Sequence, residues 1–301
     1  MSRFEILLCP PAEYKAALKI LHAGLSSDQQ AALVQTLDLL TGKDESPFEG
    51  LLVAKLGEEF VAAAWVQFTP GSAAVVWPPA FDHEAARELM AAVGSILKAR
   101  GIALAQILVA ATDTVDEAVL APGDFRRLVD LAYLTLERSN FPSGPANQQL
   151  QFEPRASDHP KRLEAVIKQS YQGTLDCPEL NDLRDPADVV AGYKMQGQFN
   201  PENWFLARFD DQDIGLLILT EHSPGENWEL VYMGIVPSAR GQGFGEMIVR
   251  YAIETTRASS AERLVLAVDE RNSPAWDMYR RAGFVMWDRR TVYARLSNQQ
   301  N

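Results

Sequence analysis

Val236-Pro237-Ser238-Ala239-Arg240-Gly241-Gln242-Gly243-Phe244-Gly245 joins an apolar run, 230–236, to an amphipathic helix that begins at Glu246-Met247-Ile248. Three glycines fall at alternate positions after Pro237. Glycine lets a backbone turn sharply and bring its N–H groups close to a ligand. A helix N-terminus adds unpaired N–H donors and a partial positive charge. Strand, glycine loop and helix together predict a phosphate cradle with Arg240 beside it. The same residues exclude two nucleotide loops. No Lys-Ser or Lys-Thr closes the stretch, and its spacing is not Gly-x-Gly-x-x-Gly.

Outward from this loop, the second half reads as a strand at 150–153, helical stretches at 161–171 and 186–196, and strands at 204–209, 214–221 and 228–236. After the loop come a helix at 246–259, a strand at 264–268, a short helix at 274–282 and a strand at 286–296. The first half has the same order: strand 4–8, helices 12–25 and 29–40, strands 50–56, 59–68 and 73–77. It ends with a helix at 83–100, a strand at 104–110, a short helix at 116–120 and a strand at 128–136. Residues 139–149 hold two prolines, a glycine and several polar residues without a period, which predicts a linker.

Landmarks in the two halves align at one offset of 159 positions: Pro78 with Pro237, Ala80 with Ala239, Phe125 with Phe284. The informative part is the mismatch. Opposite Arg240-Gly241-Gln242-Gly243 the first half has Phe81-Asp82-His83-Glu84, which puts carboxylates where a phosphate would sit.

The length of 301 residues suits two domains of about 150 each. Hydrophobic residues make up 47% and charged residues 23%, ordinary for a chain with packed cores. The net charge of −12 divides into −7 for 1–150 (11 basic, 18 acidic) and −5 for 151–301 (17 basic, 22 acidic). Neither half is a polyanion binder by bulk charge, so no nucleic-acid partner is expected and a phosphorylated ligand must be held locally. Cys9 and Cys177 make no disulfide framework, and His22, His83, His159 and His222 lack ligand spacing, so no metal is expected. No basic segment leads into an apolar run, and no stretch approaches the about 20 apolar residues of a membrane span. The expected location is cytoplasmic, with no membrane partner.

Three stretches of the second half resemble the GNAT superfamily of acyl-coenzyme A N-acyltransferases. They are Glu229 to Gly245, with Arg240 to Gly245 as the Arg/Gln-x-x-Gly-x-Gly/Ala signature; the strand 264–268 with Asp269-Glu270-Arg271-Asn272; and Met278-Tyr279-Arg280-Arg281-Ala282-Gly283-Phe284. The match covers roughly 150–297, and the duplication extends it weakly over the first half. The whole chain looks like a tandem GNAT protein, similar to mycothiol synthase-like proteins. The resemblance implies an α/β (α+β) fold of two tandem domains, each a mixed, mostly antiparallel sheet flanked by helices, with a splayed strand pair at the coenzyme A site. Domains are expected at 1–145, degenerate and without the loop, and 146–301, active.

The resemblance also implies site residues. The loop N–H groups of Arg240, Gly241, Gln242, Gly243, Phe244 and Gly245 bind the pyrophosphate of acetyl-coenzyme A. The strand end, Met233, Ile235 and Val236, pairs with its pantetheine arm as an added strand would. Asn272 contacts that arm or caps the following helix, and both roles are compatible. Tyr279 protonates the departing thiolate, or is a core aromatic with Trp276 and Phe284; its counterpart Leu120 has no proton to give. Glu229 is the expected base. Strand alternation puts it on one face with Val231, Met233 and Ile235, and Tyr232 on the opposite face; Tyr232 and Glu221 are rivals. The stretch 171–184 occupies the place of the acceptor-binding loop, so Tyr171, Asp176 and Arg184 are expected to line the acceptor pocket, unless the stretch is an ordinary capped loop. Asp176 or Glu179 would attract a cationic amine. Cys177 has no nearby histidine and is not expected to act as a nucleophile. The expected activity is acetyl transfer to a small-molecule or peptide amine by a monomer or homodimer. The alternative is a coenzyme A-binding module without turnover, against which Tyr279 and Glu229 speak.

Overall fold

A computed structural model of the chain describes residues 3–40, 47–143, 149–222 and 226–297. The first repeat runs β1 (Glu5–Leu8), α1 (Tyr14–Gly24), α2 (Ser27–Leu40), β2 (Leu51–Leu56), β3 (Glu59–Thr69), β4 (Ala73–Trp77), α3 (Ala86–Ala99), β5 (Leu104–Ala110), α4 (Glu117–Leu120) and β6 (Arg126–Glu137). The second runs β7 (Gln151–Glu153), α5 (Pro160–Tyr171), α6 (Pro186–Tyr193), β8 (Trp204–Phe209), β9 (Gln212–Glu221), β10 (Asn227–Ile235), α7 (Phe244–Ala258), β11 (Arg263–Asp269), α8 (Ser273–Arg281) and β12 (Val285–Leu296). The offset of 159 holds to the residue at both ends of the pairs β5/β11 and β6/β12.

The compact units do not follow the repeat. One is Met1–Leu128 with Thr291–Asn301, the other Val129–Arg290. The second unit thus takes in β6, a strand of the first repeat, which pairs antiparallel with β11 from Leu131↔Asp269 to Glu137↔Arg263. The expected boundary at 145/146 lies outside the described residues. The part of the expected linker that is described does not behave as one: Phe141 is buried in the second unit's core, and Arg257 donates to the Pro142 carbonyl. An aromatic side chain next to a proline supplied apolar area that outweighed the local turn chemistry. Residues 144–148 lie outside the described residues.

In the second unit the strand order is β6-β11-β10-β9-β8-β7, with β10 and β11 parallel and the other recorded pairs antiparallel. Leu216 to Leu219 of β9 are buried on both faces, which requires helices above and below. α7 covers one face with Ile248, Val249, Ala252, Ile253 and Thr256, the helical spacing of an apolar stripe. α5 covers the other with Leu163, Val166, Ile167 and Ser170. Its first turn is held by Arg162, which makes two-pronged bonds to Glu153 (2.7 and 3.0 Å) and Asp213 (2.9 and 2.7 Å). Those bonds hold both carboxyls below the usual carboxylate range.

Two departures from a regular sheet make the site. β10 and β11 pair only over Asn227–Glu229 with Arg263–Val265 and then separate. Opposite β9, the register of β10 shifts between Leu230 and Tyr232, a bulge at Val231.

The first unit orders its strands β1-β2-β3-β4-β5, and beyond β5 comes the end of the chain, with Ser297 N–H donating to the Ala103 carbonyl (2.9 Å). Its parallel pair separates as well: β4 and β5 pair only over Ala73–Val75 with Leu104–Gln106. Here a side chain of α2 reaches the separated edge of β5. Gln29 of α2 is buried and donates its side-chain amide to the Leu108 carbonyl of β5 (3.1 Å).

Candidate active site

The loop after β10 carries its glycines for two different reasons. Gly241 (φ +75°) and Gly243 (φ +82°) adopt left-handed backbone that side chains disfavour, and no atom stands within 4 Å of where a Cβ would be. The space over them is open. Gly245 lies close to α8: a Cβ there would stand 2.9 Å from the Met278 sulfur, which would have to move aside. Gln242 Nε2 donates to the Ser238 carbonyl (3.1 Å) and closes the loop. α7 then begins at Phe244, buried against Phe209 with ring centroids 5.0 Å apart. Its first-turn carboxylate, Glu246, is paired with Arg281 (2.8 Å), which offsets the negative charge beside the helix N-terminus. Beyond Glu229 the edge of β10 facing β11 has no strand partner, so Met233, Ile235 and Val236 border an open slot beside the loop.

Arg240 is placed differently from its expected position beside a phosphate. Its guanidinium donates to four backbone carbonyls: Ile235 (3.1 Å), Gln172 (2.7 Å), Gly173 (3.1 Å) and Ser170 (2.7 Å). Three of these are carbonyls at or just past the C-terminus of α5, where a cation is favoured and acceptors lack helix partners. The backbone of Arg240 stays in the loop, while its side chain fastens the end of α5 to the end of β10.

The bulge corrects the assignment of strand faces. Directly paired residues share a face, so Glu229 stands with Thr220, and Tyr232 with Ile218 two places along β9. Glu229 and Tyr232 therefore face the α5 side together, and Met233 and Ile235 face the α7 side. Simple alternation failed because Val231 is an extra residue with no partner in the ladder. The Tyr232 hydroxyl lies 2.7 Å from Ser170 Oγ. Ser170 Oγ already donates to the Ile167 carbonyl (2.8 Å), so Tyr232 must be the donor. Tyr171 and Tyr193 join it: their hydroxyls are 3.1 Å apart, and both rings pack on Tyr232 at 5.9 and 5.2 Å between centroids. Burial pushes all three phenols above their usual value and keeps them protonated. Arg184 lies beside Gly192, and its charge offsets part of that rise at Tyr171 and Tyr193.

The loop that follows α5 docks on the end of β11. Asp269 donates its backbone N–H to Asp176 Oδ1 (2.9 Å), and its own carboxylate accepts the Cys177 N–H (3.1 Å) and the Arg271 N–H (2.8 Å). Burial would raise the fully buried Asp269 carboxyl, but hydrogen bonds from Arg271 and Cys177 outweigh it and hold it low. Glu179 is bonded through both oxygens to Arg271 (2.7 and 3.0 Å), so it is occupied and does not serve as the expected amine-attracting group. Asp176 docks on the end of β11 through the Asp269 N–H. Burial pushes its carboxyl up, opposed by bonds from the Asp269 N–H and the Asn272 side chain. Asn272 also accepts the Ala275 N–H (3.3 Å) as the N-cap of α8. Burial also pushes the Cys177 thiol up, the opposite of what an activated nucleophile needs.

Tyr279 of α8 is buried and packs edge-on against Phe284 at 5.7 Å. Among the described residues its hydroxyl has no hydrogen-bond partner. Burial, reinforced by the Asp176 charge, pushes its phenol up. Glu229 is bonded to His222 Nε2, a partner the sequence did not suggest because His222, the residue after β9, faces Glu229 only through the β9–β10 register. The bond to Glu229 raises His222 above its ordinary value of 6.5 although burial opposes it. A second missed neighbour is Tyr133 of β6, close enough for the Glu229 charge to act on it. No signal in the sequence placed β6 beside β11. Among the described residues there is no group of His, Cys, Asp or Glu side chains that could hold a metal ion, and no helix is long and apolar enough to cross a membrane.

Residues 169–284 match the family model described as the acetyltransferase (GNAT) family. Relatives over most of the chain are named mycothiol acetyltransferase. The protein from Geodermatophilus obscurus is 25% identical over 296 residues, covering 91% of each chain, and that from Thermobifida fusca is 23% identical over 274 residues, covering 82% of each. Among solved structures, a GCN5-related N-acetyltransferase from Sphaerobacter thermophilus superposes with a TM-score of 0.56 at 16% identity, covering 98% of this chain and 96% of that one. A tandem GNAT protein from the clavulanic acid biosynthesis pathway superposes with a TM-score of 0.52 at 12% identity, covering 99% and 100%. At these identities the structures speak to the fold, which is the tandem GNAT arrangement.

Proposed function

From a chain that carries a GNAT acetyltransferase domain at residues 169–284, we propose an N-acetyltransferase that moves an acetyl group from acetyl-coenzyme A to a primary amine by direct attack. The observation that carries this is the open slot along β10 beside Gly241 and Gly243, whose left-handed backbone has free space over it. An extended amide chain pairs with such a strand edge, and a diphosphate suits the N-terminus of α7. Acetyl-coenzyme A, when bound, supplies an activated thioester and a thiolate leaving group.

The protein's own groups then have separable tasks. An ammonium is attracted to Glu229 and must lose a proton before it attacks; the His222–Glu229 pair receives that proton directly or through water. Asp176, raised by burial, and the Tyr171–Tyr193–Tyr232 cluster border the same face of the sheet and shape the acceptor side. Tyr279 keeps its proton because burial raises it, and so acts as a hydrogen-bond donor to the departing sulfur, passing on the proton as the negative charge develops. The first repeat lacks each of these parts. Leu120 replaces the tyrosine, His83 Nδ1 accepts the Ala85 N–H at the start of α3, and Gln29 donates to the Leu108 carbonyl on the separated edge of β5.

Thiol release from acetyl-coenzyme A across a panel of primary amines tests the proposal. Turnover with at least one amine that disappears in Glu229→Gln is expected. Coenzyme A binding without release for every amine would instead identify a binding module.

A further inference from the structure

Ala267 stands in the middle of β11, between Leu266 and Val268, which are both buried, and yet it is exposed. A central strand flanked by β6 and β10 has an exposed residue only where the layer above it is missing. The face is fixed by the register. Glu229, Val265 and Thr135 form one row across β10, β11 and β6, and Ala267 pairs with Tyr133 two residues further along the same face. β10 leaves β11 just beyond Glu229, so an open cleft lies over Ala267. Glu229 and Tyr232 bound it on one side and Tyr133 on the other, roughly 10 Å apart at two strand spacings.

On the far side Tyr133 is not alone. Its ring meets Trp287 of β12 edge to face, centroids 6.1 Å apart and planes at 77°, while the Arg290 guanidinium lies 5.4 Å from the Tyr133 ring centre and is anchored by Asp288 (2.8 Å). Trp287 is 57% exposed. An indole more than half exposed and held by an edge contact offers surface to another ring.

We propose that Tyr133 and Trp287 form the outer wall of the acceptor cleft and select primary amines that carry an aromatic ring a short chain away from the nitrogen. The inference rests on the acetyltransferase proposal and adds the acceptor class to it. The ammonium sits at Glu229, and the ring lies over Ala267 against Tyr133 and Trp287. Tyr133 then has a role in the second unit although its sequence belongs to the first repeat.

The test compares phenethylamine with ethylamine, both with acetyl-coenzyme A, in the full-length wild type and in Trp287→Ala, Trp287→Phe and Tyr133→Ala. Loss of a stacked ring contact is expected to raise the phenethylamine KM about tenfold in both alanine variants and to leave ethylamine within about twofold. The KM for acetyl-coenzyme A should not move, and Trp287→Phe should restore most of the selectivity. Equal effects on the two amines, or none, would overturn the inference and leave the acetyltransferase proposal standing. Should the wild type release no thiol with any amine, that proposal fails by itself. Calorimetric titration of phenethylamine into the protein with coenzyme A then decides the wall: binding that weakens in Trp287→Ala supports it, and no binding overturns it.

Discussion

Arg240 in the glycine loop donates to the carbonyl of Ser170, 70 residues earlier in the chain, at 2.7 Å. With the bonds to Gln172 and Gly173, this fastens the end of α5 to the end of β10, and under the proposed function it couples the proposed acceptor side to the proposed donor side. Arg240→Ala should therefore lower stability by about 2 kcal/mol, since four backbone carbonyls, two of them part-buried, lose a charged donor. It should also raise the acceptor KM more than that of acetyl-coenzyme A. Thermal unfolding and steady-state kinetics on the same preparation check both. An effect confined to acetyl-coenzyme A would show that the guanidinium binds the donor instead.

Gly243 is left-handed with open space where its Cβ would be. Gly243→Ala meets no clash and carries only the backbone penalty of roughly 1–2 kcal/mol. If its N–H faces the pyrophosphate, the KM for acetyl-coenzyme A rises about tenfold or more while the melting temperature falls by a few degrees. Isothermal titration with coenzyme A provides the direct measurement.

Tyr279→Phe keeps the packing against Phe284 and removes only the hydroxyl. A loss of about 100-fold in kcat with little change in either KM is expected for a group that acts on the leaving thiolate. Unchanged kcat would reduce Tyr279 to a core aromatic.

The His222–Glu229 bond sets a pH dependence whose sign differs for stability and for turnover. The folded His222 value is raised above 6.5, so the stability it contributes is fully present below the unfolded value and is lost as pH rises through the folded one. For turnover, the protonated pair accepts no proton, so kcat/KM should climb as pH rises through the raised value. In His222→Ala this limb should disappear from the pH range in which the wild type shows it. An acid limb at the same pH in both proteins would exclude the pair as the base.

One coenzyme A should bind per chain. Gln29 donates to Leu108 on the separated edge of β5, and no positive-φ glycine lies between Trp77 and Ala86. Calorimetric stoichiometry near two would contradict the degenerate character of the first repeat.

The order of elements was readable along the chain because apolar periodicity, proline and glycine act locally. The helix after the loop and the strand 104–110 were expected nearly where α7 and β5 stand, and the offset of 159 survives at β5/β11 and β6/β12. Faces were less legible. One bulge residue, Val231, reversed the side taken by Tyr232, Met233 and Ile235, and a bulge depends on what the partner strand does. Glu179 looked like an amine acceptor until Arg271, 92 residues away, claimed both its oxygens.

Residue type and spacing alone were enough for the GNAT fold of the second half, the glycine loop at Val236–Gly245, the position of Tyr279, and the loss of the loop glycines in the first repeat. Only the tertiary structure decided that Arg240 binds carbonyls, that His222 pairs with Glu229, and that β6 lends Tyr133 to the second unit. Those relations join residues far apart in the chain. Their partners are chosen by strand pairing and by the need to satisfy buried polar groups, and neither leaves a local mark in the sequence.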